Sequence, residues 1–279
     1  MGEAMDARRQ LETRGWTIRR SVFSPNEVAD FRAKVAEALD DARRRQTVLV
    51  EDGAEGRVEW CVGDLLSYDE LGAIILDERV VRFAQDLLGE RPIYFADSTL
   101  RLGANGERAW HRDNIDRDFD GPDWKGDYPI IRIGIYLQDH ATHSGGLTIA
   151  DGSHKEAAKK GHGRFPDIRP GDVAGWSLRA RHSTEAVRIR MMPNLVLNPR
   201  LQTRIPKWAR VPDDELRMTL FASFARHHTL FDRYVDYLKT RDYFQESEAA
   251  SRYSPQAHRL LESSGIEIGG AATEIAQRV

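Results

Sequence analysis

The spacing of apolar residues divides the chain into a helical part and a β-rich part. In the helical part, Ser24-Pro25-Asn26-Glu27 has the composition of a helix start, because serine caps the first turn, proline suits its first position and glutamate completes a capping box. The positions that follow predict an amphipathic helix, with apolar residues at helical spacing at Val28, Phe31, Val35 and Leu39. Further along, residues 57–64 are predicted as a strand, and residues 70–88 as one or two helices that end at Gly89.

From Pro92 onwards short β-type runs separated by Gly, Asn and Asp replace the helical pattern, and the tail from His227 returns to helix. Short runs with links of mixed length suit a double-sheet jelly roll of the cupin kind better than a parallel α/β sheet. The expected fold is therefore mainly β with flanking helices. The predicted core strands are residues 92–103, 128–138, 146–152, 172–182 and 217–225.

The length predicts one domain, because 279 residues with 41% hydrophobic content can bury one sizeable core. Within residues 1–279 we expect three parts. Residues 1–91 form an N-terminal helical scaffold, residues 92–226 form the jelly-roll core with an insertion at 191–216, and residues 227–279 form C-terminal helices.

The charge balance gives no support for a nucleic-acid partner or an anionic membrane, because 41 basic and 44 acidic residues leave a formal net charge of only -3. No segment has the length of apolar residues that a membrane span needs. Cys61 is the lone cysteine, and the N-terminus lacks the apolar stretch of a signal peptide. We therefore expect a cytoplasmic protein with small-molecule partners.

The segment Trp110-His111-Arg112-Asp113 contains a His-x-Asp pair after a predicted strand. Alone this pair is a weak signal, since a surface histidine beside a solvated aspartate occurs by chance. In an extended segment, however, residues two apart point the same way, so His111 and Asp113 can reach one ion. A second histidine, His182, stands at the end of the predicted strand 172–182, where barrel-mouth sites are built. Two imidazoles and one carboxylate suit Fe(II) with open coordination positions.

With these motifs the chain resembles the phytanoyl-CoA dioxygenase family of 2-oxoglutarate-dependent oxygenases over most of its length. The resemblance implies a double-stranded β-helix core and a non-haem iron dioxygenase that uses Fe(II), 2-oxoglutarate as co-substrate and O₂. It implies that His111, Asp113 and His182 are the metal ligands. The motifs that carry it are Gly15-Trp16-Thr17-Ile18, Phe23-Ser24-Pro25, Trp110-His111-Arg112-Asp113, Ser144-Gly145-Gly146-Leu147, Asp151-Gly152-Ser153-His154-Lys155, and Gly171-Asp172 with the strand to His182.

The expected reaction is hydroxylation of a small-molecule metabolite, or desaturation or cyclisation, in specialised or sugar-like metabolite biosynthesis. Related halogenases have alanine or glycine at the carboxylate position so that chloride can bind the metal. Because Asp113 fills that position here, halogenation is disfavoured.

Three arginines are candidates for binding the co-substrate. In the resembled family the arginine that clamps the distal carboxylate of 2-oxoglutarate opens the strand after the distal histidine. Arg217 opens such a strand here, but at an unusually long distance, while Arg188 lies nearer to His182. Arg101 lies on the strand before the His-x-Asp motif, where the family often has a basic residue. The intervening segment 191–216 is either a lid over the site or an ordinary surface loop.

The candidates for substrate contact are Trp110, Arg112 and Arg190, although packing beside the metal site is favoured for Trp110, because large aromatic side chains usually contribute buried area first. Basic residues near the expected mouth exceed what the co-substrate needs, which suggests an anionic or polyhydroxylated substrate if they are more than a solvated surface. They are Arg108, Arg112, Arg117, Arg179, Arg181, Arg188, Arg190, Arg200 and Arg204.

Two other functions fit the same pattern. One is a cupin-type metalloenzyme that does not use 2-oxoglutarate, such as an isomerase or a direct oxidase, and a missing arginine clamp would favour it. The other is a non-catalytic jelly-roll binding module, against which the intact His111, Asp113 and His182 argue.

Overall fold

The computed structural model describes residues 2–53, 56–103, 109–116, 121–202, 204–212 and 217–278. The N-terminal part alternates helices and strands: α1 Gly2–Arg14, β1 Trp16–Arg19, α2 Pro25–Arg44, β2 Val48–Gly53, β3 Gly56–Cys61, α3 Asp69–Ile75 and α4 Glu78–Leu88. The central part is mainly strand: β4 Ile93–Gly103, β5 Ile130–Tyr136, β6 Gly146–Asp151, β7 His162–Arg164, β8 Val173–Ser177, β9 His182–Ala186, a short α5 Pro199–Gln202 and β10 Met218–Ala225. The tail contains α6 Thr229–Lys239, α7 Asp242–Ala250, α8 Pro255–Ser263, β11 Glu267–Ile268 and α9 Ala271–Ala276.

Local sequence signals set the ends of the helices. The Ser24 hydroxyl accepts a hydrogen bond from the Glu27 backbone amide, and the Glu27 carboxylate accepts one from the Ser24 amide, so the predicted capping box is confirmed. Gly89 ends α4 with a φ of 79°, a left-handed conformation that glycine adopts without steric cost. Asp77 caps α4 and separates it from α3, so the predicted 70–88 region is two helices.

The strands form two sheets. An eight-stranded sheet has the order β1-β8-β5-β10-β4-β3-β2, with β11 added in parallel to β4, and every other pairing in it is antiparallel. A three-stranded antiparallel sheet has the order β7-β6-β9. Two mostly antiparallel sheets with helices around them are consistent with the expected jelly-roll fold.

Apolar side chains occupy both faces of the large sheet. On its outer face, residues of β4, β5 and β10 pack with α2, α3 and α4 in one buried cluster. On its inner face, a second cluster lies between the two sheets and includes Trp16, Tyr136, Leu147, Ile149, Trp176 and Phe221. The space between the sheets is thus apolar at its base. A polar side chain buried there needs a hydrogen-bond or ionic partner, which a bound molecule can supply.

The predicted strand 172–182 is wrong in one respect. The structure ends β8 at Ser177, makes a turn in which the Ala180 amide donates to the Ser177 carbonyl at 2.7 Å, and starts β9 at His182 in the other sheet. The turn has neither glycine nor proline, so the pattern alone does not show it. Its conformation is held by Arg179, which is buried and donates to the carbonyls of Asp123 and Gly126.

The N-terminal part also does more than supply helices, because β1 joins one end of the large sheet and the β2–β3 hairpin joins the other. Among the described helices, none combines the length and the apolar character that a bilayer span requires.

Candidate metal centre

Backbone pairing brings the His-x-Asp segment against the start of β9. The amide of His111 donates to the His182 carbonyl at 2.9 Å, and the amide of His182 donates back to the His111 carbonyl at 2.9 Å. Asp113 is fixed next to them, since its amide donates to the Leu178 carbonyl at 3.0 Å. The small sheet therefore gains a partial strand that carries His111 and Asp113 beside His182.

The three side chains converge on one point. The Nε2 atom of His111 lies 3.8 Å from Oδ1 of Asp113, and the Nε2 atom of His182 lies 3.7 Å from Oδ2 of Asp113. One ligand atom from each residue lies within 4.8 Å of the other two. Two ligand atoms about 2.1 Å from a metal are roughly 3 Å apart at right angles and roughly 4.2 Å apart when opposite, so these spacings match a common ion.

Both imidazoles present the nitrogen that a metal needs. Nδ1 of His111 lies 3.0 Å from the Ala109 carbonyl, and Nδ1 of His182 lies 3.1 Å from the Ala180 carbonyl. A carbonyl only accepts hydrogen bonds, so each Nδ1 carries the proton and each Nε2 keeps its lone pair toward Asp113. Burial lowers the pKa of His182 to about 4, and the neighbouring His111 lowers it further than Asp113 raises it, which keeps this ring in its neutral, metal-binding form.

A partly buried chain of ion pairs lies directly behind the carboxylate ligand, and the sequence motifs do not show it. Arg132 on β5 has its Nε 3.6 Å from Oδ2 of Asp113 and donates through NH2 to Oδ2 of Asp97 at 2.9 Å. Ser223, which pairs with Arg132 in the β5–β10 register, also donates to Oδ2 of Asp97 at 2.7 Å. Burial alone would lower the pKa of Arg132, but the Asp97 and Asp113 carboxylates outweigh it, so the guanidinium stays charged.

The sequence did contain a signal for this chain of charges. Arg132 is the one charged residue in the otherwise apolar run of β5, Ile130–Tyr136, and a charge inside a buried strand needs a partner. Asp97 faces inward through a bulge in β4, where Ala96 has a φ of 62°. A left-handed conformation is uncommon for a residue with a side chain and costs on the order of 1 kcal/mol, and such strain concentrates at functional sites.

The loop after Asp113 is also pinned. One carboxylate oxygen of Asp123 accepts hydrogen bonds from the amides of Ile115 and Asp116 and from the Asn114 side chain. Arg233 on α6 then joins Asp116 and Asp123 through ion pairs of 2.8 Å. These contacts fix the course of the chain on the C-terminal side of Asp113.

A polar pocket lies deeper between the sheets. Arg217 precedes β10 by one residue and stands two residues before Thr219, so both project from the same face, the face that also carries Tyr136. Arg217 is 2% exposed. Burial raises the pKa of Tyr136 and lowers that of His140, and in both cases the positive charge of Arg217 lowers the pKa. Among the described residues, the buried polar atoms without a hydrogen-bond partner in this region include Tyr136 Oη, Thr148 Oγ1, Trp176 Nε1 and His140 Nδ1.

Unsatisfied buried donors are costly unless a bound molecule or water meets them. Here they surround a cation, which is the environment that a small molecule with carboxylate groups requires. Gln138 adds order to the pocket, because its Oε1 accepts from the Met218 amide at 2.9 Å and its Nε2 lies 2.9 Å from Nε2 of His140. The pocket residues therefore fit a dianionic co-substrate such as 2-oxoglutarate.

The other co-substrate candidates lie apart from this pocket or at its edge. Arg101 is buried on β4, paired in register with Thr219, and its guanidinium stands 5.9 Å from the Trp60 ring. Arg188 is buried as well, but it donates to the His140 carbonyl at 2.9 Å, pairs with Asp167 at 3.1 Å and lies over the ring of Phe165. The Arg188 guanidinium is thus already committed to protein groups.

Two of the three candidates for substrate contact, Trp110 and Arg112, lie in the same extended segment as His111 and line one pocket with it. Their positions alternate with those of His111 and Asp113. Arg112 donates to three backbone carbonyls, those of Arg179, Ser153 and Lys159, so its guanidinium is bonded to the protein's own backbone. Trp110 lies under the guanidinium of Arg181 at 4.8 Å.

Arg190 is exposed and donates to the Arg210 carbonyl, where the described part of the 191–216 insertion folds back on residues 188–190. Of the basic residues expected at the mouth, Arg108 and Arg117 lie outside the described residues, as does the side chain of Arg200. Arg179 supports the turn before His182 instead of facing a cavity mouth.

Comparison with solved structures shows which folds this chain resembles. The non-haem α-ketoglutarate-dependent epimerase SnoN from nogalamycin biosynthesis is 18% identical, with a TM-score of 0.55 over 80% of this chain and 82% of that one. EctD from S. alaskensis, solved with 2-oxoglutarate and 5-hydroxyectoine, is 18% identical with a TM-score of 0.53 over 80% and 75%. HygX from Streptomyces hygroscopicus, with nickel and 2-oxoglutarate bound, is 15% identical with a TM-score of 0.54 over 79% and 86%.

No protein-family model matches this chain, and no curated protein sequence does. At identities of 15–18% the structural likeness shows the fold alone. The chain therefore has the fold of non-haem iron, 2-oxoglutarate-dependent oxygenases.

Proposed function

We propose that this chain is an Fe(II)- and 2-oxoglutarate-dependent dioxygenase with a double-stranded β-helix core, similar to the phytanoyl-CoA dioxygenase family. In this proposal His111, Asp113 and His182 bind one Fe(II). The observation that carries it is the convergence of two Nε2 atoms and one carboxylate within 4.8 Å between the two sheets. Two imidazoles and one carboxylate on one face of an ion leave its remaining positions open for a co-substrate and O₂.

The pocket around Arg217 supports 2-oxoglutarate as the co-substrate. The distal carboxylate of 2-oxoglutarate would bind the planar guanidinium of Arg217, and Tyr136 Oη would donate a further hydrogen bond from the same face. Solved proteins of the same fold contain 2-oxoglutarate, together with nickel in HygX. A metalloenzyme that did not use 2-oxoglutarate would leave this cationic pocket without a role.

Iron held by His111, Asp113 and His182, together with 2-oxoglutarate, would supply the oxidising chemistry for a C–H bond from O₂. The protein's own residues hold and orient the reactants. The Ala109 and Ala180 carbonyls fix the imidazole rings, Arg132 holds the Asp113 carboxylate from behind, and the buried Arg217 would hold the co-substrate.

The proposed reaction is hydroxylation of a small-molecule metabolite, or a desaturation or cyclisation. The solved proteins of this fold include an epimerase and a carbocyclase from nogalamycin biosynthesis and an enzyme crystallised with 5-hydroxyectoine. We therefore place the substrate among specialised metabolites. Asp113 supports oxygenation over halogenation, because its carboxylate occupies the position that a halide ligand would need.

The direct test is anaerobic titration of the apoprotein with Fe(II) and then 2-oxoglutarate, followed through the metal-to-ligand charge-transfer band, with succinate measured after O₂ is admitted. The parent should bind one iron per chain, show the band and form succinate. Alanine at His111, Asp113 or His182 should remove both signals. Alanine at His162, an exposed histidine on β7, is the matched control and should change neither. Stoichiometric iron in the His182→Ala protein, or no band in the parent, would refute the proposal.

A further inference from the structure

The described part of the chain contains a cavity beside the ion-pair chain that the proposed reaction does not yet use. It has a volume of about 360 Å³ and lies between the β2–β3 hairpin, the bulge of β4 and helix α7. Arg132 and Asp97 form part of its wall. Because Nε of Arg132 is 3.6 Å from the Asp113 carboxylate, one side chain separates this cavity from the candidate metal centre.

The cavity wall is mainly apolar and partly aromatic. Trp60, Val62, Tyr243 and Phe244 line it, and Leu49 stands at its rim. Leu49 is 53% exposed and Tyr243 is 57% exposed. Exposed apolar side chains normally lie singly on a protein surface, whereas these two lie at the same cavity. A concave site of this size with an apolar wall and a few polar groups has the character of a small-molecule site.

The polar groups of the cavity favour a hydrogen-bond donor. Both hydrogen bonds that the described residues give to Asp97, from Arg132 and from Ser223, go to its Oδ2. Its Oδ1 therefore keeps its lone pairs for a donor from a bound molecule. The second acid of the wall is Glu246, and the charge of Arg132 is already shared between Asp97 and Asp113.

A negatively charged molecule would meet two carboxylates here and no uncommitted cation among the lining residues that the structure describes. An anion would lose its hydration and gain no partner, whereas a hydroxyl or ammonium group would find the Asp97 carboxylate. The basic surface near Trp110, which includes Lys160 and Arg181, is a separate pocket that also reaches His111, and its charge suits an anion better than this cavity does.

From these contacts we infer that this cavity is the substrate site and that it takes a molecule with an apolar, ring-sized part and a hydroxyl or ammonium donor, and without an anionic group near that donor. That the bound molecule is the substrate rests on the proposed oxygenase function. The preference for a donor-bearing, non-anionic molecule follows from the cavity itself. It replaces the expectation of an anionic substrate that the number of arginines suggested, and it keeps the expectation of hydroxyl groups.

Three probes that share one ring system test the preference: 2-naphthylmethanol, 2-naphthylmethylamine and 2-naphthoate. Each is titrated by ligand-observed NMR into the protein with 2-oxoglutarate and either Mn(II) or diamagnetic Zn(II). The alcohol and the amine should bind at least tenfold more tightly than the carboxylate, and Mn(II) should broaden their resonances far more than Zn(II) does. Equal or tighter binding of 2-naphthoate would overturn the inference.

A positive charge introduced at the rim tests whether the probes bind in this cavity. Leu49→Arg changes a side chain that is 53% exposed, so folding is not at risk. It should weaken the amine and strengthen the carboxylate, each by roughly threefold, because a new charge at about 6 Å in water has that effect. The control is Ala158→Arg on the basic surface near Trp110, which should change neither. If Ala158→Arg shifts the probes and Leu49→Arg does not, the site is the basic surface and the inference is wrong.

The same titrations without added metal separate the two proposals. If iron and 2-oxoglutarate fail to bind but the probes keep their order and their response to Leu49→Arg, the cavity preference stands and the proposed oxygenase function fails. If the charge-transfer band forms but the probes bind without preference, the function stands and the substrate inference fails.

Discussion

Replacing Arg217 with alanine should weaken the binding of 2-oxoglutarate at least thirtyfold and leave iron binding intact. Arg217 is 2% exposed and projects from the face of β10 that also carries Thr219 and faces Tyr136 on β5. From that position its guanidinium can meet the distal carboxylate of a co-substrate whose other end lies at His111, Asp113 and His182.

The magnitude follows from burial and charge. A hydrogen bond to a charged group contributes roughly 1.5–3 kcal/mol, and a planar guanidinium makes two such bonds to a carboxylate. At 2% exposure, water does not replace the lost donors without entering the core. A loss of at least ~2 kcal/mol corresponds to roughly a thirtyfold weaker affinity.

The assay is an anaerobic titration of the Fe(II) protein with 2-oxoglutarate, in which the charge-transfer band reports binding. Arg188→Ala is the matched control, because Arg188 is also buried and cationic but bonds the His140 carbonyl and Asp167. Arg217→Lys keeps the charge and should recover part of the affinity but not the bidentate geometry. Thermal melting of each variant shows whether the fold persists.

One result would refute this reasoning. If Arg217→Ala binds 2-oxoglutarate as the parent does while Arg188→Ala is impaired, the clamp lies directly after His182 and the 191–216 segment is not a simple extension of the connection. If both variants bind normally, the inner pocket has another ligand.

Three further predictions concern acid stability, the ion-pair chain and the product. Burial, followed by the Arg217 charge, lowers the pKa of His140 to about 3, so the fold keeps this ring neutral. In the unfolded chain His140 takes up a proton near pH 6.5. Folding stability that is fully present above that pH is therefore lost as the pH falls from about 6.5 toward 3. His182 and His154 have lowered pKa values as well, so the effect of His140 is a difference between two proteins. Between pH 7.5 and 5, urea unfolding of the apoprotein should show that the parent loses about 2 kcal/mol more stability than His140→Gln does, and equal slopes would contradict this. Arg132→Met should cost about 3 kcal/mol, because Asp97 would lose its cation and keep only the Ser223 hydroxyl as a donor. Adding Asp97→Asn should restore part of that stability, and a strictly additive double variant in the same assay would show that the pair is not coupled. Saturating chloride should leave the products unchanged while Asp113 is present, and mass spectrometry would reveal a chlorinated product if Asp113 did not exclude halide.

Short-range signals in the sequence predicted most of the scaffold. The capping box at Ser24 and Glu27 and the glycine after α4 are local, since each depends on residues a few positions apart, and both occur as expected. Short β-type runs separated by Gly, Asn and Asp predicted the strands that became β4, β5, β6 and β10. The spacing of His111 and Asp113 was also informative, because residues two apart in an extended segment share a side.

Features that depend on partners far along the chain were not predictable. The turn between β8 and His182 has no glycine or proline, and it forms because Arg179 bonds carbonyls more than fifty residues earlier. The role of Arg132 needs the register of β5 with β10, which sets Ser223 opposite it, and the β4 bulge that directs Asp97 inward. A count of arginines overestimated the positive charge at the site for the same reason, because Arg112 is buried against backbone carbonyls.

The charges around the candidate metal centre differ between its inner end and the outer cavity. Each of the two places therefore favours a different ligand. At the inner end, the positive charge of the buried Arg217 lies beside Tyr136 and His140 and favours an anion. At the outer cavity, Asp97 and Glu246 leave negative charge, which disfavours one. Arg132 stands between, holding Asp113 and Asp97 at the same time. A dianionic co-substrate and a donor-bearing substrate would therefore be directed to opposite sides of one metal by electrostatics alone, without either needing to exclude the other by shape.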